Sequence, residues 1–284
     1  MIFFPNAKIN IGLFVTNTRE DGFHNIESVF YPIALNDALE MRIDTNNNLQ
    51  GQDAKARLYI TGDFCPETIT EDDNNTVIKA FNLLKNDFKQ IRSSNICLDK
   101  RIPIFAGLGG GSSDGSFTLM LCNYMFNLGL TTKQLLHYAS IIGSDCSFFL
   151  KNTPQFVYSM GEKMQDLDLS LQGLVLLLIK PDLNISTKEA YKDVHITPSP
   201  FDLRKLDVKD IHNWKNYVRN DFEVRLFEKY PLLREIKQTM YDNGALYSQM
   251  SGSGSTIYGF FEKEVDINKL KLPISTFVYQ KRIE

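Results

Sequence analysis

Cysteine is scarce in this chain of 284 residues. The four present, Cys65, Cys97, Cys122 and Cys146, form no C-x-x-C pair, and no histidine stands at ligand spacing from them. That argues against a disulfide framework or a thiolate zinc site and predicts reduced thiols in or beside the core. A dominant charge of either sign is also missing. The net charge is −3, so no broad basic field is offered to nucleic acid or to an acidic membrane surface. Long apolar runs are absent too. The longest, "LVLLLI" at residues 174–179, is far too short to span a bilayer and reads as a buried strand. "MIFFPNAKIN" lacks the basic-then-apolar layout of a signal peptide. These absences predict a soluble, cytoplasmic protein with no nucleic-acid and no membrane partner.

What is present suffices for a sizeable core. Hydrophobic residues make up 43% of the chain, enough for one large or two smaller domains. "AKINIGLFVT" reads as a strand, and a second strand-like run follows the turn signal Asp21-Gly22. After the polar "EDDNNT", residues Val77, Ala80, Phe81 and Leu84 recur at helical spacing. "SNICLDKRIPI" alternates as a strand does, and two helices follow, the first expected to end at Gly129 and the second to run from a cap at Thr131 or Thr132 to Gly143. From about residue 155 come a buried strand, a largely helical stretch interrupted at Pro231, and a strand–glycine turn–strand segment, "ALYSQMSGSGSTIYGFF". No internal repeat or low-complexity tract appears. This mixed order predicts an α+β fold with mixed, largely antiparallel sheets, divided into residues 1–154 and 155–284.

The stretch "PIFAGLGGGSSDGS", residues 103–116, lies between a strand and an amphipathic helix. A flexible loop is the plain reading. The flanking elements favour an anion site, because a helix's first-turn amides point out of its end and glycines admit a phosphate without Cβ clashes. A Cβ at Gly109 to Gly111 is then expected to harm nucleotide affinity before stability. The loop is not a Walker A motif, since no Lys-Ser or Lys-Thr pair follows at the required spacing. It fits the dinucleotide fingerprint poorly, with Ser112 at the third glycine position.

It does resemble the P-x-x-x-G-L-G-S-S motif of the galactokinase–homoserine kinase–mevalonate kinase–phosphomevalonate kinase (GHMP) superfamily. Here that motif runs from Pro103 through Gly107, Leu108 and Gly109 to Ser112 and Ser113, with Gly110 and Gly111 inserted. "AKIN" at 7–10, "DGFH" at 21–24, "GSDCSFF" at 143–149 and "MSGSGST" at 250–256 resemble further motifs of one branch, whose substrate is a cytidine diphosphate-linked polyol of non-mevalonate isoprenoid synthesis. Three departures stand out. Gly115-Ser116 replaces a common Ala-Ala, Cys146-Ser147 replaces Val-Pro, and Phe23 stands where Tyr is frequent.

The resemblance implies a two-domain GHMP kinase fold with its active site in the cleft between domains. It implies an ATP-dependent enzyme, with ATP accompanied by Mg²⁺ whose protein ligands stay unassigned. Lys8 and Asp145 are the implied catalytic residues: Asp145 takes the proton of the attacking hydroxyl, and Lys8 stabilises negative charge and keeps Asp145 ionised. Pro103, Ile104, Phe105, Ala106, Gly107, Leu108, Gly109, Gly110, Gly111, Ser112 and Ser113 are implied to hold ATP, with Asn75 and Lys100 on the same side. Asn10, Phe23, His24, Asp145 and Thr187 are implied on the substrate side, Phe23 stacking on the pyrimidine. Without the resemblance, Lys8 reads equally well as a solvated strand residue and Asp145 as a helix cap. A monomer or weak dimer is expected. The rival readings are a sister kinase of the mevalonate or homoserine type and a nucleotide-binding module without turnover.

Overall fold

A computed structural model describes residues 1–65, 74–192, 194, 196 and 198–284; residues 71–73, the acidic part of "EDDNNT", lie outside them. The chain opens with β1 (Ile2–Phe3), β2 (Asn6–Thr18), β3 (His24–Asn36), β4 (Ala38–Ile43) and β5 (Ala56–Thr61). Helix α1 (Thr76–Asp87) and strand β6 (Ser94–Asp99) lead to α2 (Gly110–Met125), α3 (Thr132–Ile142) and α4 (Cys146–Lys151). Then come β7 (Gln155–Ser159), β8 (Lys163–Asp166), β9 (Val175–Lys180), α5 (Thr187–Tyr191), α6 (Glu223–Lys229), α7 (Pro231–Asp242), β10 (Tyr247–Met250), β11 (Ile257–Phe261) and β12 (Phe277–Arg282). The α+β expectation holds: β5 and β6 pair in parallel, and the other named strand pairs given a register are antiparallel.

The chain forms two compact units, each discontinuous in sequence. The first comprises Met1–Ala7, Leu35–Ile104 and Gly109–Asn152; the second comprises Lys8–Ala34, Phe105–Leu108 and Thr153–Glu284. Residues 8–34 and 105–108, which a single break after residue 154 would assign to the N-terminal part, thus group with the C-terminal part.

The first unit carries a sheet in the order β1-β4-β6-β5, and helices α1 to α4. Its core gathers Leu39, Ile96, Phe81, Leu119, Leu121 and Cys122, all fully buried. Helix α1 begins where Asn75 caps it, its side chain accepting the Val77 amide, and turns Val77, Ala80, Phe81 and Leu84 inward. Helix α3 starts with a reciprocal capping box between Thr131 and Gln134 and stops at Gly143. Helix α2 stops at Met125, before Gly129, which lies beyond it in the connecting loop.

The second unit holds sheets ordered β2-β3-β7-β8 and β10-β11-β9-β12. Strand β9 is the apolar run seen in the sequence. It lies between β11 and β12, and all six of its residues are buried. Val175, Leu177 and Ile179 alternate into a core shared with Leu226, Leu233, Ile236 and Met240 of α6 and α7. Pro231 opens α7 at its first position, where the missing N–H costs no helix bond. Strands β8 and β12 escaped the sequence reading. Both lie at sheet edges, and neither "KMQD" nor "FVYQKR" alternates apolar with polar residues. Ahead of α6 runs a 3₁₀ segment, Val208–Asn216, which "WKN" closes.

None of the four cysteines is in a disulfide, and Cys122 and Cys146 are buried while Cys97 is exposed. Among the described residues, no helix is long and apolar enough to cross a membrane. Leu177→Ala should destabilise the protein by about 2–5 kcal/mol, the usual range for emptying a fully buried leucine site. Urea unfolding checks this, and a loss below about 1 kcal/mol would mean that the site collapses around the gap.

Candidate active site

In the first unit, strand β6 delivers the chain to the glycine stretch and α2 takes it up again. The helix begins at Gly110, with Gly109 as its N-cap in the left-handed region at φ 71°. Glycine adopts that conformation without Cβ strain. It also provides no side chain to cap the helix, and no side-chain cap bond is made. The first-turn amides of a 16-residue helix are therefore left to an outside acceptor. Ser112 and Ser113 are the third and fourth helical residues. The Ser113 hydroxyl is buried and has no hydrogen-bond partner.

Neighbouring elements hold this helix start from several sides. Thr76, the first residue of α1, donates its hydroxyl to the Gly111 carbonyl at 2.6 Å. Gly115 presses against Thr76; a Cβ there would lie 3.0 Å from the threonine Cβ. Asn75 has its side-chain oxygen committed to capping α1, 2.9 Å from the Val77 nitrogen. Lys100, expected on the ATP side, is buried and ion-paired with both Asp37 and Asp114. Its ammonium would reach a phosphate only by leaving those partners.

Asp145 precedes α4. Its backbone is helical, at φ −78° and ψ −14°, and its side chain makes no cap bond, so the plain reading as a helix cap does not hold. Its Oδ1 accepts from the Ser144 hydroxyl at 3.4 Å. Two of the sequence departures meet beside it. The Ser116 hydroxyl donates toward the carbonyls of Ser112 and Cys146, each at 2.8 Å. It thereby ties the first turn of α2 to the residue after Asp145. Burial pushes the Cys146 thiol up to about 11, so that side chain stays a neutral packing group.

In the second unit, Lys8 and Asn10 lie two residues apart on β2 and share a face. Lys8 is buried; its Nζ donates to Asn10 Oδ1 at 2.5 Å and lies 4.2 Å from the centre of the Phe30 ring. It is therefore not a solvated strand residue. The Asn10 amide nitrogen donates to Ser28 Oγ at 2.9 Å, and Ser28 donates to the Gly12 carbonyl at 2.6 Å. These bonds fix which end of the Asn10 amide faces the ammonium.

The "SGSGS" segment links β10 to β11 as a hairpin loop closed by the pair Met250 and Ile257. Ser251 Oγ accepts the Asn10 backbone N–H at 3.2 Å and donates to the Gly107 carbonyl at 2.8 Å. A Cβ on Gly107 would sit 2.0 Å from the Ser251 carbonyl oxygen, so only glycine permits this approach. Asn220, which the sequence reading missed, donates to the carbonyls of Met250 and Gly252, both at 2.8 Å. The signal available was Asn220-x-x-Glu223, a cap-like spacing ahead of α6.

Phe23 follows the turn at Asp21-Gly22 and is 63% exposed. His24 opens β3, and its ring stacks on Tyr191 with centroids 5.1 Å apart. Tyr191 in turn meets Phe222 edge-on at 4.8 Å. Thr187 begins α5, one turn before Tyr191 on the same helix face. His24 thus lies against an aromatic of α5 that sequence spacing gave no reason to choose.

Gly110 and Gly111 separate what the sequence joined. A Cβ on Gly110 would lie 2.9 Å from Ile102 Cγ2 and 3.4 Å from Lys100 Nζ, whereas Gly111 has only Thr76 Oγ1 at 4.0 Å. Gly110→Val should therefore lower the melting temperature of the nucleotide-free protein by several degrees, against the expectation from sequence. Gly111→Ala should leave the melt within about 2 °C and weaken ADP binding several-fold. Thermal melts paired with ADP titration check both. Normal ADP affinity in Gly111→Ala would mean that no phosphate approaches that residue.

The comparisons with known proteins agree with the motifs. The family model "GHMP kinases N terminal domain" matches residues 75–153, and "GHMP kinases C terminal" matches residues 202–280. A 4-diphosphocytidyl-2-C-methyl-D-erythritol kinase of Bacteroides fragilis is 43% identical over 284 residues, covering 100% of both chains. The protein of that name in Bacteroides thetaiotaomicron is 41% identical over 283 residues, again 100% of each. Among solved structures, a 4-(cytidine 5'-diphospho)-2C-methyl-D-erythritol kinase aligns with TM-score 0.72 at 28% identity, over 91% of this chain and 89% of that one. Methanococcus jannaschii mevalonate kinase aligns with TM-score 0.66 at 14% identity, over 100% and 98%, a likeness of fold alone.

Proposed function

The chain belongs to the GHMP kinase family and is an ATP-dependent small-molecule kinase, and we propose that it phosphorylates the 2-hydroxyl of 4-diphosphocytidyl-2-C-methyl-D-erythritol in non-mevalonate isoprenoid precursor synthesis. The observation that carries this reading is the match along the whole chain to relatives named for that substrate. The mevalonate-kinase likeness reaches the fold only, which favours this reading over a sister kinase. A cytoplasmic enzyme, monomeric or weakly dimeric and without a nucleic-acid partner, completes the proposal.

The ATP phosphates are held by the uncapped first turn of α2, where amide donors and the helix dipole favour negative charge. Asp145 accepts the proton of the attacking hydroxyl as its oxygen bonds to the γ-phosphorus and ADP departs. A carboxylate not engaged as a helix cap suits that task. Lys8 supplies fixed positive charge to the oxygens on which negative charge builds, and Asn10 holds its ammonium in place. Phosphoryl transfer needs little more from a protein than such positioning and charge.

Mg²⁺ is expected with ATP. It takes oxygen ligands and few protein side chains, keeping water and phosphate oxygens for the rest. The hydroxyls of Ser112 and Ser113 fit that donor preference, the latter being an orphaned buried oxygen. Among the described residues, no three His, Cys, Asp or Glu side chains gather as a metal site. The metal's part is to neutralise charge on the nucleotide's phosphates.

On the acceptor side, exposed Phe23 and the His24–Tyr191 pair provide aromatic faces for a cytosine, each stacking contact worth about 1–3 kcal/mol. Tyr191 joins the residues named from the sequence because its ring already carries His24.

The direct test is ADP release with ATP and the cytidine-linked substrate, beside mevalonate and homoserine. Turnover with the cytidine compound alone is expected; turnover with neither it nor its rivals would overturn the reading. Asp145→Asn should keep ATP binding and lower turnover by roughly 10²–10⁴. A value within a few-fold of the parent would remove Asp145 from proton transfer. Lys8→Ala should also act mainly on turnover, and a rise in KM alone would make Lys8 a binding residue. Tyr191→Ala should weaken CMP binding about tenfold or more while sparing an ATP analogue. Equal losses for both ligands would place Tyr191 in the core only.

A further inference from the structure

Beneath the start of α2 lies a cluster of charges that the proposed chemistry does not use. Lys100, Asp37 and Asp114 are each 5% exposed or less. Lys100 follows the last residue of β6, and Asp37 stands between β3 and β4. Asp114 is the fifth residue of α2. The Lys100 ammonium bonds to Asp37 Oδ2 and to Asp114 Oδ2, the latter at 2.8 Å. Asp37 Oδ1 accepts the backbone amides of Arg101 at 2.6 Å and Ile102 at 2.8 Å. One carboxylate therefore fixes the strand exit, the other rides on the helix, and a single ammonium joins them. Gly110 packs directly over this junction, against Ile102 and Lys100.

We propose that Lys100, Asp37 and Asp114 form a buried brace that sets the helix start relative to residues 100–102, and that Lys100 serves ATP binding through this brace without touching the nucleotide. This inference rests on the reading of α2 as the ATP phosphate site. Its physical basis is the penalty on a buried charge that loses its partner. An ammonium shared between two desolvated carboxylates has few alternative positions, and removing it leaves two facing carboxyls without their shared cation, one of which must take up a proton and rearrange. Burial already raises the Asp114 carboxyl to about 7 despite the neighbouring ammonium, and Asp114 Oδ1 has no partner at all. The cluster thus tolerates little displacement. The cradle above it can hold its amides in one geometry before nucleotide arrives, which is where preorganisation gains affinity.

The test is a double-mutant cycle read by calorimetric titration with a non-hydrolysable ATP analogue. Lys100→Met alone should weaken binding about tenfold or more, because the two buried carboxyls lose the cation that joins the strand exit to the helix. Adding Asp114→Leu removes one of them, and the other keeps its two backbone donors. Affinity in the double variant should then return to within about threefold of the parent. A double variant as weak as Lys100→Met would show that the ammonium contacts nucleotide and would overturn the brace. Should Lys100→Met not fold, Asp114→Leu decides alone: several-fold weaker analogue binding is expected, and unchanged affinity would overturn the proposal. A parent protein that binds no analogue would overturn the kinase reading, and the brace with it. Loss of the brace alone leaves the parent's binding intact.

Discussion

An α-helix that starts on glycines, with no side chain to cap it, is the constraint around which the first unit is organised. The first-turn amides of α2 have no acceptor within the helix, and leaving such donors unsatisfied away from water is costly. The chain does not remedy this by capping, as it does for α1 with Asn75 and for α3 with Thr131. It keeps the end open and secures the helix elsewhere. Thr76 holds a carbonyl of its first turn, Ser116 ties that turn to the residue after Asp145, and Lys100 anchors Asp114. A helix start so held can present its amides to an anion without first having to be ordered by it.

The second unit answers a different demand, a buried ammonium. Moving Lys8 out of water is unfavourable unless its charge is met by close partners. Among its partners are the Asn10 carbonyl oxygen and the face of Phe30, an amide dipole and a ring quadrupole. The polar chain continues through Ser28 to Gly12, and Ser251 bridges Asn10 to Gly107. Few of its members have anything to say about chemistry. Ser28 and Gly12 ensure that Asn10 turns its oxygen to the ammonium and its nitrogen away, and Ser251 holds the Asn10 backbone.

The motifs were legible because each rests on local physics. Glycines before an amphipathic run marked the anion site, since backbone freedom and helix-end amides are properties of a few consecutive residues. Lys8 and Asn10 share a face because strand periodicity is two. The exact start of α2 was not legible, as Ser112 and Ser113 are good caps in isolation, yet the left-handed backbone of Gly109 begins the helix before them. Edge strands β8 and β12 were missed because their pairing, not their composition, makes them strands.

The sequence by itself determined the α+β class, the glycine-to-helix transition, and the residue types capable of acid–base and phosphate chemistry, for these depend on neighbours within a turn or two. Only the tertiary structure decided which of those residues are available. It committed Asn75 to a helix cap and Lys100 to two buried carboxylates, released Asp145 from capping, and set Tyr191 against His24 across 167 residues of sequence. The reason is that a charged or aromatic side chain is defined by what surrounds it. Burial and long-range partners fix its charge, orientation and freedom, and they come from strands and helices that the local sequence does not contain.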